Sequence, residues 1–130
     1  MINPMTTIKQ LLADNKFEWT DSNITDEHFP IEKELSTDGA VLGKYEEYIS
    51  TEAVLADLHK RGRRAATVAE LLMYSLENPD ILKREWIVAL GQVWNDKVLV
   101  LGEFDGRRGA GLALVADDWR AYFRFLSFPL

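Results

Sequence analysis

Residues 86–104 read WIVALGQVWNDKVLVLGEF. Within this stretch two runs of alternating apolar residues flank Asn95-Asp96, a pair that is typical of a two-residue hairpin turn. The alternation recurs towards the C-terminus, and the links between the runs are too short for the crossovers that parallel strands need. We therefore predict an antiparallel meander of four strands with these bounds: Trp86–Trp94, Lys97–Phe104, Gly111–Val115 and Tyr122–Phe128.

Two helices are predicted upstream of the meander. Ser50 can cap a helix over Thr51–Lys60, and Gly62 suits the position after its C-terminal end. Thr67-Val68-Ala69-Glu70 has the form of a capping box, in which the first and last side chains each satisfy a free backbone N–H of the helix start. Apolar residues at helical spacing follow as far as Asn78-Pro79, where the proline ends the helix.

The first 50 residues carry weaker signals. Thr6 or Thr7 can cap a short helix, Phe17–Leu35 is typical of an ordered loop with a short strand, and Val41–Ile49 is typical of a strand. We expect a single α+β domain over residues 1–130. Its parts are an N-terminal helix, loop and strand (1–50), two helices (51–82) and the antiparallel meander (83–130).

Composition excludes several classes of function. The 130 residues carry a net charge of −6, so the chain repels a phosphate backbone and no nucleic-acid partner is expected. Cysteine is absent, which removes disulfides, thiolate nucleophiles and thiolate metal sites. No apolar run approaches the ~20 residues of a membrane helix, and Met1–Leu12 lacks the pattern of a signal peptide. We therefore expect a cytoplasmic protein that does not bind membranes.

No catalytic residues are predicted. Acidic residues are paired in the sequence, as in Glu103 with Asp105 and Asp117 with Asp118. These pairs fall in predicted turns or at strand ends, where water keeps carboxylates ionised. Acid–base catalysis by two carboxyl groups needs a cleft and one pKa raised by burial. We interpret the acids as solvated turn residues.

Metal and phosphate sites are not predicted either. His28 and His59 have no partner at metal-binding spacing, so neither a metal nor another cofactor is expected. A calcium site built from loop oxygens stays open as an alternative, on Asp21, Asn23, Asp26 and Glu27. The basic run His59–Arg64 is interpreted as a helix end followed by a solvated turn. Four glycines are interpreted as hairpin turns and bulges rather than a phosphate loop: Gly102, Gly106, Gly109 and Gly111.

Two short segments carry a resemblance to a known family. Gly62–Leu72 has the pattern Gly-x-Arg-x-x-Thr-x-x-Glu before an apolar helix, and Phe123-Arg124-Phe125-Leu126 follows at the end of the chain. Both resemble segments of C-type-lectin-like domains related to formylglycine-generating enzymes. Within that group the chain is most similar to small bacterial or phage variable proteins of diversity-generating retroelements. It departs from the group at Ala89–Trp94, where a Gly-Gly-Ser-Trp-like segment is common, and in lacking the copper-binding cysteines of the catalytic relatives.

The resemblance implies a C-type-lectin-like fold and a ligand-binding face near the C-terminus, between Trp94 and Tyr122. Arginine and aromatic side chains in this stretch are typical of contact surfaces, since guanidinium groups supply hydrogen-bond forks and rings supply flat contact area. We therefore predict a non-enzymatic module for a protein or peptide ligand. The predicted site residues are Trp94, Asp96, Phe104, Arg107, Arg108, Ala110, Ala113, Val115, Asp118, Arg120 and Tyr122.

Two other functions stay open. The chain could be a small oligomeric accessory or regulatory protein, in which exposed aromatic side chains of different copies bury one another. Less in keeping with the residues, it could be a hydrolase or transferase that uses the carboxylates, which requires a deep pocket with a buried acid.

Overall fold

The computed structural model describes residues 6–115 and 118–130. Three α-helices occur in these ranges: α1 Ile8–Asn15, α2 Thr51–Lys60 and α3 Val68–Glu77. The strands are β1 Trp19–Thr20, β2 Val41–Gly43, β3 Ile49–Ser50, β4 Arg63–Ala65, β5 Trp86–Trp94, β6 Lys97–Phe104, β7 Arg107–Leu114, β8 Asp118–Trp119 and β9 Phe123–Pro129. The α+β class predicted from the sequence is confirmed.

The helix starts follow the predicted capping residues. The Thr7 hydroxyl accepts a hydrogen bond from the Gln10 N–H, and the Ser50 hydroxyl accepts one from the Ala53 N–H. At α3 the predicted capping box is complete, because the Thr67 hydroxyl and the Glu70 carboxylate each accept the other's backbone N–H. Gly62 follows α2 with a φ of 72°, a left-handed conformation that glycine adopts without steric cost.

Most strands belong to one mixed sheet with the order β1-β7-β6-β5-β9-β2, and β4 pairs with the far end of β9. Strands β5, β6 and β7 form the predicted antiparallel meander. Both of its turns contain two residues with left-handed φ, Asn95 and Asp96 (50° and 59°) and Asp105 and Gly106 (54° and 79°). Such turns match the twist of paired strands. The second turn is shorter than predicted, so β7 begins at Arg107 rather than Gly111.

The prediction that the last strand continues the meander is wrong. Strand β9 lies on the other side of β5 and runs parallel to it, with Trp86 opposite Phe123. The Val115 N–H bonds the Asp96 carbonyl at one end of the sheet, whereas β9 begins at the opposite end. The chain therefore returns across the sheet face before β9 starts. The burial of Trp119 beneath this return segment, at 2% exposure, accounts for the crossing.

The predicted strand over Val41–Ile49 is two short strands that join different sheets. Strand β2 pairs with β9 in the large sheet, and β3 pairs with β8 in a small one. Between them Tyr45 packs against Phe125 and donates a hydrogen bond of 2.6 Å to Asp57 on α2. These contacts draw the chain out of the large sheet and over its face.

Both faces of the large sheet carry a hydrophobic cluster. On the first face α1 and α3 pack through residues such as Ile8 and Leu72 against Ile87 and Leu99. On the second face α2 and the small sheet pack through Val54 and Trp119 against Val88, Val98 and Phe125. Alternate residues of β5 and β6 thus point into different clusters, as the period of a strand requires.

The buried carboxylate of the capping box is paired with an arginine. Arg64 holds Glu70 by two hydrogen bonds, of 2.8 Å and 2.6 Å, and its guanidinium lies over the Phe128 ring. Burial raises the pKa of Glu70, but the Arg64 guanidinium and the Thr67 N–H outweigh it and hold the pKa below its ordinary value of 4.5. This ion pair joins β4 to the start of α3.

We expect Glu70→Gln to lower the free energy of unfolding by about 2 kcal/mol at pH 7, because it leaves Arg64 without its counter-charge. Because the folded-state pKa of Glu70 is lowered, its contribution is present above pH 4.5 and is lost as the pH falls below that value. Urea unfolding of both proteins between pH 7 and pH 3 measures the difference, which should shrink on acidification. The control is Glu46→Gln, at an exposed position; an equal loss in both variants contradicts the prediction.

Candidate functional site

Three glycines form a flat floor on the second face of the sheet, at the end where β6 meets β7. Gly102 on β6 lies directly opposite Gly109 on β7, and Gly111 points to the same face two residues further along. A Cβ on Gly102 would lie 2.6 Å from the Trp86 ring, and one on Gly109 would overlap the Trp19 indole. Glycine is required here because the two indoles rest on backbone. The interpretation as turns and bulges is wrong for these three and holds for Gly106.

Four aromatic side chains form a continuous series of ring contacts, of which the two indoles rest on this floor, and we call them the aromatic row: Trp19, Phe104, Trp86 and Tyr122. Successive ring centroids are 5.0 Å, 4.9 Å and 5.4 Å apart. The first three rings are half-buried, whereas Tyr122 is 50% exposed. Edge-to-face and tilted ring pairs of this kind are each worth about 0.5–1.5 kcal/mol beyond the area they bury. The row is therefore a stiff surface with part of each ring open to solvent.

Hydrogen bonds fix two members of the row, Trp86 and Trp19. The Trp86 indole N–H donates to the Glu103 carbonyl at 3.1 Å, which orients its ring over Gly102. Strand β1, which carries Trp19, is held parallel to β7 by the N–H groups of Glu18 and Asp21, each bonded at 2.9 Å to a β7 carbonyl. On the inner side, Tyr122 contacts Phe123, which leads into the buried rings of the second cluster. The row is thus the open end of the protein's own core.

The arginines near the row differ in what they contact. Arg108 is used internally: its guanidinium donates to the Asn15 carbonyl at 2.5 Å and to the Ser75 hydroxyl at 3.3 Å, and lies over the Phe17 ring. Arg107 and Arg120 are exposed, and neither forms an ion pair with a described residue. Arg120 lies 5.1 Å from the ring centre of Tyr48, which is itself exposed.

The structure separates the predicted site residues into two groups. Phe104, Arg107 and Tyr122 lie at the end of the sheet that carries the row. Trp94 and Asp96 lie at the other end of β6, since Trp94 pairs with Lys97 and Phe104 pairs with Arg107. An eight-residue strand such as β6 separates its ends by roughly 25 Å. One compact ligand cannot contact both groups.

The remaining predicted residues differ in exposure. Ala110 is fully buried in the first cluster, so it contributes nothing to a solvent-facing surface. Ala113 and Val115 are half-buried and pack against the second cluster. Asp118 is exposed on β8. The Trp94 ring stacks on His28, with ring centroids 4.0 Å apart, and packs against the first cluster.

The site residues predicted from the sequence include neither Trp19 nor Trp86. The available signal was the placement of the glycines, because Gly102, Gly109 and Gly111 fall on one face of two paired strands once β7 is extended to Arg107. A patch without side chains inside a sheet indicates that something bulky rests on it. The sequence does not show which side chain rests there, because β1 supplies it and β1 is far from β7 in sequence.

The acidic residues do not assemble into a cluster within the described ranges. Asp26 accepts the Ile8 N–H at 2.7 Å and so caps α1, and Asp21 accepts the Asn23 N–H at 2.9 Å. Asp105 is exposed and Glu103 half-buried, while Asp117 lies outside the described residues. Across 6–115 and 118–130, no three His, Asp or Glu side chains are close enough to share a metal ion. No helix in those ranges has the length and apolarity to cross a membrane.

We expect Gly109→Ala to displace Trp19 from the floor and to destabilise the fold by about 1–3 kcal/mol, the usual cost of overpacking. Gly111→Ala is the matched control, because its Cβ would meet the same indole at 3.1 Å, a contact that a small shift relieves. It should cost less than about 1 kcal/mol, since alanine also restricts the unfolded chain. Urea unfolding followed by tryptophan fluorescence measures both, and equal costs contradict the account of the floor.

Comparisons with known proteins identify no relative of this chain. No protein-family model, curated protein or solved structure matches the chain.

Proposed function

We propose that this protein is a non-enzymatic binding module, that its binding face is the aromatic row with Arg107 and Arg120 beside it, and that its ligand is a protein or peptide. The observation that carries the proposal is the half-exposed row held on a glycine floor. When a partner covers apolar rings that are open to water at the edge of a core, apolar surface is removed from water, and this favours the complex.

The residue types of the face support a macromolecular partner. Tryptophan, tyrosine and arginine are the residues most often found to dominate protein–protein binding energy. Because the rings already contact one another and the backbone, little conformational entropy is lost when a ligand orders them. The exposed guanidinium groups of Arg107 and Arg120 can each bind a carboxylate or carbonyl of a partner.

The dimensions of the row favour an extended segment over a small molecule. With ring centroids separated by 5.0 Å, 4.9 Å and 5.4 Å, the row spans up to about 15 Å, the length of four or five extended residues. A segment of that length can place side chains between successive rings. The proposed face therefore keeps Phe104, Arg107, Arg120 and Tyr122 from the predicted site and adds Trp19 and Trp86.

The family assignment is a further part of this proposal. We propose membership among the C-type-lectin-like variable proteins on the basis of the segments Gly62–Leu72 and Phe123–Leu126. The cytoplasmic location is proposed from the sequence alone. In a variable protein the scaffold stays constant while ligand-contacting positions change. We expect close relatives encoded in one genome to differ mainly between Trp94 and Tyr122. Substitutions spread evenly along the chain would exclude this assignment.

One alternative is favoured by a specific observation. Tyr48, Tyr122 and Leu114 are each about half exposed or more, so a second copy could cover them. In that case the protein is an oligomeric accessory or regulatory protein. Size-exclusion chromatography with light scattering distinguishes the two, since a monomer at micromolar concentration leaves the row free for another partner.

Selection from a displayed library of random 12-residue peptides tests the proposal without knowledge of the natural ligand. We expect selected peptides to lose at least about tenfold in affinity on Tyr122→Ser and on Arg107→Ser, which corresponds to about 1.4 kcal/mol. Leu114→Ser is the matched control, because it removes an equally exposed apolar side chain at the other end of the sheet. Calorimetry measures peptide binding to each variant. If the control loses binding and the row variants keep it, the proposal is contradicted.

A further inference from the structure

A cavity of about 620 Å³ lies away from the aromatic row, between the loop 30–35, α2, β4 and the second half of β5. Its size falls within the range of small-molecule sites. Five leucines are among the residues that line it: Leu35, Leu55, Leu58, Leu90 and Leu130. Leu55 is 39% exposed on α2, so the cavity opens to solvent beside that helix. We call it the basic groove, for the cations described below.

Hydrogen bonds to backbone groups hold the walls of the basic groove together. The Gln92 side chain accepts the Val68 N–H at 3.0 Å and donates to the Pro30 carbonyl at 2.9 Å, which joins β5, α3 and the loop. The Gly91 N–H bonds the Ala66 carbonyl at 2.7 Å. A Cβ on Gly91 would lie 2.5 Å from that carbonyl oxygen, so this position cannot carry a side chain without a shift of the backbone. The groove is therefore an ordered feature of the fold.

The charges along the groove are mainly positive, in a protein whose net charge is −6. The cations Lys33, Arg63 and Arg64 line it, and Glu32 is the single acidic side chain among the described lining residues. Glu70 neutralises Arg64. Arg63 bonds neutral acceptors, the hydroxyl and carbonyl of Ser127 and the carbonyl of Gly39, so its positive charge has no acidic partner among the described residues.

Arg63 also keeps hydrogen-bonding capacity. Its Nε and Nη2 atoms make the bonds to Ser127 and Gly39, whereas Nη1 has no hydrogen-bond partner among the described residues. Three N–H groups at the start of α3 are already bonded: those of Thr67 and Glu70 within the capping box, and that of Val68 to the Gln92 side chain. An anion in the groove would therefore bind the Arg63 and Lys33 side chains.

We propose that the basic groove binds a small amphipathic anion, an apolar alkyl or aryl body that carries one carboxylate. The leucine lining accepts the apolar body, because burial there removes apolar surface from water. The cations at the rim accept the carboxylate by charge-assisted hydrogen bonds. This site is independent of the aromatic row, so its test and the test of the proposed function do not share an outcome.

Octanoate is the probe, and octan-1-ol and octylamine are its neutral and cationic counterparts. In ¹H–¹⁵N correlation spectra of the whole chain we expect octanoate to shift amides of 30–35, 55–65 and 90–92 saturably. Octanol should bind at least about tenfold more weakly and octylamine more weakly still, because they lack the charge that the groove complements.

Two variants locate the site. Leu55→Glu places a carboxylate on the rim of the groove, and Ala56→Glu adds the same charge at the next, exposed position of α2, outside the lining. We expect Leu55→Glu to weaken octanoate binding by at least about tenfold and Ala56→Glu to leave it within about twofold. Lys33→Gln, in the loop, should reduce the preference for octanoate over octanol.

The proposal is overturned if octanoate shifts none of the groove amides, if octanol binds as tightly as octanoate, or if the two glutamate variants behave alike. Correlation spectra of the free variants test whether each is folded, which separates a loss of binding from unfolding.

Discussion

The rest of the architecture depends on the contacts of the buried Trp119 indole. Its N–H donates to the Thr51 hydroxyl at 2.8 Å, and that hydroxyl donates to the Val115 carbonyl at 2.6 Å. The two bonds join the start of α2 to Val115, just after β7, and to Trp119 on β8. Because the chain returns, β9 starts beside Trp86 and runs parallel to β5. That placement also brings Tyr122 to the end of the aromatic row.

Strand β9 then organises the N-terminal half of the chain. Its outer side pairs with β2, and its last residues pair with β4, so it connects three segments that are far apart in sequence. Each of these pairings joins residues far apart in sequence. Each therefore closes a long loop, at an entropic cost that only the completed core offsets. The bidentate Arg64–Glu70 pair stabilises this junction, because it joins β4, which pairs with β9, to the start of α3.

The two candidate sites arise from different physical causes. The aromatic row exists because glycines allow two indoles to lie on the sheet backbone, which places more aromatic surface at the end of the core than the fold itself covers. The basic groove exists because the loop 30–35 stands off from α2 and β5 and is held there by Gln92. One surface is flat and suits a chain, whereas the other is concave and suits a small molecule.

Local signals in the sequence determined the helices and the three-strand meander. Ser50, the Thr67–Glu70 capping box and the Asn95-Asp96 turn act over a few residues, and each element formed where its signal stood. The direction of β9, the split of Val41–Ile49 and the makeup of the aromatic row were decided by tertiary structure. Each depends on contacts between residues distant in sequence, such as Trp19 on Gly109 or Trp119 on Thr51. Periodicity shows that a residue faces a core, but it does not show which distant residue covers it.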